Sequence, residues 1–226
     1  MTILPTLADC YQAQRRIRPL IRQTPLIEAP ELARHIGARS VHLKMECWQH
    51  TGAFKVRGAA NKILSLDEDA RQRGVVTFST GNHGKAVAYV AGRSGIPATV
   101  CLSEHVPAYR AEMIRRLGAR VSVKGGSQDE AEANYRELML DQGLAPVVPF
   151  DDPLIIAGQG TIGLEILSVL PDTDVLLVQL SGGGLLGGIA MVAKTINPAI
   201  HVVGLSLSRS PAMVESLKAE AAESAS

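Results

Sequence analysis

The chain has 226 residues, with 23 Lys+Arg against 22 Asp+Glu for a formal net charge of +1. An apolar fraction of 46% against 20% charged excludes intrinsic disorder for the chain as a whole, and the near-neutral balance leaves no electrostatic footprint for nucleic acid or an anionic membrane. No apolar run approaches the roughly 20 residues of a membrane span, the start MTILPTLADCYQAQRR lacks a basic-then-apolar secretory pattern, and the scattered Cys10, Cys47 and Cys101 fit a reducing cytoplasm better than a disulfide framework or a zinc site.

In chain order, helical patterns are predicted around Thr6–Ile17 and Pro30–Ile36, followed by a strand over Val41–Glu46 and a helix opened by Lys55 after the Gly52 turn. From residue 75 the chain alternates. Strands are predicted at Val75–Phe78, Ala98–Leu102, Val121–Val123 and Ala145–Phe150, with helices at His83–Ser94, Pro107–Leu117 and from a Ser127/Glu130 capping box to Gln142. A helix over Gly158–Leu170 then leads to the strand Asp174–Leu180, read as buried on both faces because it is apolar throughout. A glycine-rich turn at Ser181–Gly188, a helix to Ile196 and a strand at Ile200–Leu207 follow. Lys218–Ser226 has no apolar pattern, so a frayed or disordered tail is predicted there. Strands and helices in this rhythm require right-handed crossovers and parallel pairing, so the fold class is α/β.

Three segments could carry chemistry. Lys55 lies beside Phe54 at a helix start, where desolvation and the helix dipole both disfavour its charge and expose a nucleophilic amine. Ser79-Thr80-Gly81-Asn82-His83 sits between a strand and a helix at the carboxyl end of a parallel sheet, where backbone N–H groups and hydroxyls can take a carboxylate or phosphate. Ser181-Gly182-Gly183-Gly184-Leu185 opens a run with five glycines in seven residues, Gly182 to Gly188, suited to a close-approaching oxyanion. The same run satisfies G-x-G-x-x-G, yet no carboxylate ends the next strand, so a mononucleotide-sized phosphate fits better than a dinucleotide. The six histidines show no paired metal-ligand spacing, Asp151-Asp152-Pro153 reads as a turn, and Glu165 reads as an ordinary helix carboxylate.

Taken together, Lys44–Lys55, Ser79–His83, Ala157–Ile162 and Ser181–Leu185 resemble the fold type II pyridoxal-phosphate enzymes of the threonine dehydratase and serine racemase group. Within it, Phe150–Pro153 with Leu180–Gly184 looks most similar to the hydroxyectoine-utilisation dehydratases. The resemblance implies two open parallel-sheet lobes, a small one over 75–150 and a larger one from 1–66 and 152–217, with 218–226 as a tail. It implies pyridoxal 5'-phosphate as cofactor, with its aldehyde on Lys55, its ring hydroxyl near Asn82 and its phosphate on Ser181, Gly182, Gly183, Gly184 and Leu185. Ser79, Thr80, Asn82 and His83 would hold the substrate. The implied activity is an ammonia-lyase converting a β-hydroxy amino acid, threonine- or serine-like or derived from hydroxyectoine, into a 2-oxo acid and ammonia. Implied too are a cytoplasmic location, a homo-oligomer (a dimer) in full-length form, and no nucleic-acid or membrane partner.

The sequence also departs from the group. Ala53 stands where many members have serine, and Ser181 replaces the first glycine of the phosphate loop. Leu205-Ser206 takes the place of a Val-Glu-Pro whose glutamate binds a cation in racemase-like members, so no metal is expected there. Members usually continue for roughly another hundred residues, so the resemblance implies a chain cut short of its final large-lobe strands, with apolar side chains exposed beside Ile200–Leu207. A non-catalytic, cofactor-binding relic and a β-replacement synthase of the same fold stay open as alternatives.

Overall fold

A computed structural model of the chain describes residues 4–79, 81–209 and 211–219. α1 (Leu7–Ile17) starts at Thr6, whose hydroxyl accepts from the Asp9 amide while the Asp9 carboxylate accepts from the Thr6 amide. β1 (Leu26–Glu28) and β2 (His42–Lys44) pair antiparallel around α2 (Pro30–Ile36). A 3-10 turn at Glu46–Trp48 ends the Val41–Glu46 run early, and Lys55 is the first residue of α3 (Lys55–Leu64). α4 (Glu68–Arg73), capped by the Asp67 carboxylate, then leads into the alternating region.

There β3 (Val75–Phe78), α5 (Asn82–Ser94), β4 (Ala98–Leu102), α6 (Ala108–Arg116), β5 (Arg120–Val123), α7 (Gln128–Gln142) and β6 (Ala145–Pro146) build one sheet. Its order is β5-β4-β3-β6 and every pairing is parallel, as crossover helices demand. α5 covers one face through Ala86, Val87 and Val90, and α7 the other, where Tyr135 meets Val76, Cys101 and Phe78. The same core continues into Ile17 of α1 and Val56, Ala59, Ala60 and Ile63 of α3.

α8 (Pro153–Val169) is a long buried helix, followed by β7 (Val175–Gln179), α9 (Gly184–Ile196), β8 (His201–Leu205) and α10 (Ala212–Ala219). β7 and β8 pair parallel and pack Leu176 and Val178 towards Ile189 and Val192 of α9 and Ile162 of α8.

Several expectations are corrected. Ala145–Phe150 forms a strand over only two residues, Ala145 and Pro146: the Ala145 and Val147 amides donate to the Gly74 and Val76 carbonyls, and the pairing with β3 ends there. The helix placed at Gly158–Leu170 begins at Pro153 instead: Asp152 is its N-cap, accepting from the Leu154 and Ile155 amides, and Pro153 supplies the helix-ready φ of a first position. The Ser127 hydroxyl does cap α7 through the Glu130 amide, but the Glu130 carboxylate accepts from the Gly126 amide and closes no reciprocal box. β7 is not buried on both faces: Val175, Leu177 and Gln179 are exposed while Leu176 and Val178 are buried. In the predicted tail, Lys218 and Ala219 close α10, and 220–226 lie outside the described residues.

Candidate active site

The lysine turn is built by Gly52, whose φ of 75° turns the chain, and by the Thr51 hydroxyl donating to the Ala53 carbonyl at 3.4 Å. Lys55 then faces the segment that follows β6. Its Nζ donates to the Pro149 carbonyl at 2.6 Å and stands 5.3 Å from the centre of the Phe54 ring and 6.0 Å from that of Phe150. Among the described residues no carboxylate pairs with it. Burial therefore acts uncompensated and lowers its pKa from 10.5 to about 8. At pH 8 about half of such amines carry a free lone pair, which makes Lys55 a nucleophile and a base under mild conditions.

α5 brings the second predicted element close enough for the Lys55 charge to act on His83. Asn82 is its first residue and is exposed, and the Gly81 amide donates to the Ser79 hydroxyl at 3.3 Å. Thr80 lies outside the described residues. His83 turns inward: it is 3% exposed, and its Nε2 lies 2.9 Å from the Val147 carbonyl. A carbonyl can only accept, so Nε2 carries the proton and Nδ1 is left as a buried acceptor without a partner among the described residues. Burial first, then the nearby Lys55 charge, push the His83 pKa down to about 4, against the Val147 bond that raises it. His83 is thus a neutral wall residue, with its imidazole facing the protein interior.

The glycine turn closes the arrangement. Gly183 has φ 84°, a left-handed conformation that a side chain resists, and α9 starts at Gly184 with its first amides free of helical partners. A Cβ at Gly182 would sit 2.3 Å from the Phe150 ring, and one at Gly184 2.8 Å from the Phe150 carbonyl oxygen. The segment from Val147 to Phe150 therefore touches all three predicted elements: His83 through Val147, Lys55 through Pro149 and the glycine turn through Phe150. Sequence reasoning assigned that segment no such role, because its contacts are two backbone carbonyls and a ring, which no motif encodes.

Also missed was the setting of Glu165. It is 4% exposed, and both of its oxygens accept from the fully buried Arg57, at 2.6 and 2.8 Å. A signal was present: an acid amid Ile162, Leu164 and Ile166 on a helix apolar all round must find a cation. Grooves of about 320 Å³, beside Asp174 and His201, and about 360 Å³, beside Arg73 and Arg120, lie at the amino ends of the strands, away from Lys55. Among the described residues, no cluster of three or more His, Cys, Asp or Glu could hold a metal, and no helix is long and apolar enough to cross a membrane.

Comparison with known proteins bears on family and fold. The L-threonine ammonia-lyase of Thermotoga maritima is 42% identical over 218 residues, covering 96% of this chain and 54% of that protein. Maize serine racemase superposes with a TM-score of 0.94 at 33% identity, covering 98% of this chain and 67% of that one. The threonine deaminase of T.th. superposes at 0.90 with 38% identity, over 97% and 70%. The chain spans between 54% and 64% of the length of the first curated relatives it matches. Its α/β architecture of parallel sheets is that of the fold type II pyridoxal-phosphate enzymes. The sequence profile of the pyridoxal-phosphate dependent enzymes matches residues 17–226, and the chain belongs to that family.

Proposed function

We propose that this chain carries the cofactor-binding half of a pyridoxal-phosphate-dependent ammonia-lyase acting on a β-hydroxy amino acid. The observation that carries the reading is the Lys55 amine, desolvated, unpaired with any carboxylate among the described residues and held at the Pro149 carbonyl beside the glycine turn. The residues fit the cofactor: the free amides at the start of α9 suit a phosphate, the lysine amine suits an aldehyde, and the exposed Asn82 amide suits a ring hydroxyl. When bound, pyridoxal phosphate supplies an electron-withdrawing ring that stabilises negative charge at the substrate α-carbon. Lys55 Nζ would take the α-proton, since its pKa of about 8 lets it cycle between free and protonated forms near neutrality. Ser79, Thr80, Asn82 and His83 would form the loop around the substrate carboxylate. His83 would serve through its backbone, because its ring is committed to Val147.

The substrate class proposed is threonine or serine, with a hydroxyectoine-derived hydroxy amino acid as the finer reading raised by Phe150–Pro153 together with Leu180–Gly184. The likeness to an L-threonine ammonia-lyase and a threonine deaminase supports deamination. We further propose a small lobe at 75–150 and a large lobe from 1–66 and 152–217, a cytoplasmic setting and a homo-oligomer for the full-length protein. The test is incubation with pyridoxal phosphate, borohydride reduction and peptide mapping. Pyridoxyl on Lys55, lost in Lys55→Ala, is the expected outcome; an adduct on other lysines only would overturn the reading. Ammonia release from threonine, serine and hydroxyectoine-derived amino acids, measured side by side, then selects the substrate.

A further inference from the structure

Arg57 lies two residues beyond Lys55 with a side chain 0% exposed, and each of its three nitrogens donates to an acceptor. Nε and Nη2 donate to the Glu46 carboxylate at 2.9 and 2.8 Å. Nη1 and Nη2 donate to Glu165 at 2.6 and 2.8 Å, and Nη1 also reaches the Thr161 hydroxyl at 3.1 Å. Lys44 Nζ donates to the same Glu165 and to the Thr24 carbonyl, and the Thr24 hydroxyl donates to Glu46. Two cations thus meet two anions in the interior.

Stability alone is a poor reason for such a cluster. Desolvating four charges costs about as much as their attraction returns, and apolar replacements of similar volume are often neutral or stabilising. A guanidinium gripped on two edges fixes direction instead, because its donors lie in one rigid plane. One grip is on Glu46, where the turn into Lys55 begins; the other is on Glu165 of α8. α8 is also the helix whose leading segment supplies the Pro149 carbonyl and the Phe150 ring. Lys55 is therefore flanked by Glu46 and Arg57, which grip each other, and Arg57 is clamped in turn to α8, the helix that follows Pro149 and Phe150. Gly58 and Gly158 close the gap further: a Cβ on Gly158 would stand 2.6 Å from the Gly58 α-carbon.

We propose that the Glu46–Arg57–Glu165 cluster is a positioning device that sets where the Lys55 amine stands relative to Pro149 and the glycine turn. The proposal rests on the reading of Lys55 as the cofactor-bearing lysine, and its test separates the two. The paired variant R57M/E165M removes one charge of each sign and keeps side-chain volume; R57K keeps the charge and loses the fork. Competitive acetylation of every lysine, read by mass spectrometry on the full 226-residue chain without cofactor, reports how Lys55 is held. In both variants Lys55 acetylation should rise at least about tenfold relative to the other lysines, because an amine no longer held in place opens locally to the reagent, while thermal unfolding stays cooperative. Borohydride-trapped pyridoxyl on Lys55 should fall in parallel. Unchanged Lys55 acetylation in either folded variant overturns the proposal, as does failure of both variants to fold, which would make the cluster a stability element. If acetylation shifts as expected but the unsubstituted chain takes no pyridoxyl on Lys55, the positioning role stands and the cofactor reading falls.

Discussion

β4 and β7 are strands of five residues with similar apolar content, ATVCL and VLLVQ, and they end in opposite situations. In β4 all five side chains are buried, since β3 and β5 flank it and α5 and α7 cover its two faces. In β7 burial alternates: Leu176 and Val178 pack under α9, while Val175 and Leu177 are 49% and 62% exposed. On β8, Val203 and Leu205 continue that bare apolar face at 42% and 49%. Strand composition states what a strand can bury, and its neighbours decide what it does bury. The hydrophobic contribution of roughly 25 cal/mol per Å² of apolar surface therefore accrues to β4 on both faces and to β7 on one.

The largest effect that tests this contrast is Val100→Asp in β4. Val100 is 0% exposed and its neighbours in the core are apolar, so a carboxylate there has no partner. A destabilisation above about 4 kcal/mol is expected, enough to remove most of a domain's stability. Circular dichroism should show loss of the cooperative melt, and a variant melting like the parent would break the contrast.

A smaller effect comes from His83, whose ring is sealed between α5 and Val147. Its folded pKa of about 4 lies below the ordinary 6.5, so between these values the unfolded chain binds a proton that the folded chain refuses. Stability must then fall as pH is lowered through that window, by roughly 3 kcal/mol if the whole shift is expressed. Denaturant titrations at pH 7 and pH 4.5 should show His83→Asn losing less stability on acidification than the parent. Parallel losses would mean that the ring is already protonated, or wet, in the folded chain.

How much could be read beforehand follows the same division. In the covered sheet the period and the punctuation agree, so Val75–Phe78 and Ala98–Leu102 fell where the β-branched runs and turn residues placed them. Lys55 opens α3, and the glycine run opens α9, because glycine turns mark both starts in the sequence itself. What stayed hidden depends on partners remote in sequence. The exposure of Leu177 is set by what lies across the sheet face. The burial of Glu165 is set by Arg57, 108 residues away. Pro149 offers Lys55 only a carbonyl, a group every residue has, so no residue type could announce it.

Ser127→Ala should cost less again. The Ser127 hydroxyl accepts from the Glu130 amide at 3.1 Å at the start of α7, the helix that covers the β4 face through Tyr135. Losing a cap of this kind removes about 1 kcal/mol. Hydrogen exchange should speed up in the first turn of α7 before it does so in β4; uniform acceleration across the sheet would show that the helix and the sheet open as one unit.

The smallest effect is expected at Leu177, and its smallness is the informative part. Leu177 pairs with Val203 on the uncovered face, so exchanging it for threonine removes little buried surface while introducing a β-branched residue suited to a strand. Leu177→Thr should therefore unfold within about 0.5 kcal/mol of the parent, the range of ordinary surface substitutions. An apolar sheet face open to solvent also favours association between copies, so sedimentation velocity should show less self-association in the variant than in the parent. A loss of stability comparable to a core truncation, roughly 2 kcal/mol or more, would mean that this face is covered in solution and that the difference between β4 and β7 disappears once that cover is in place.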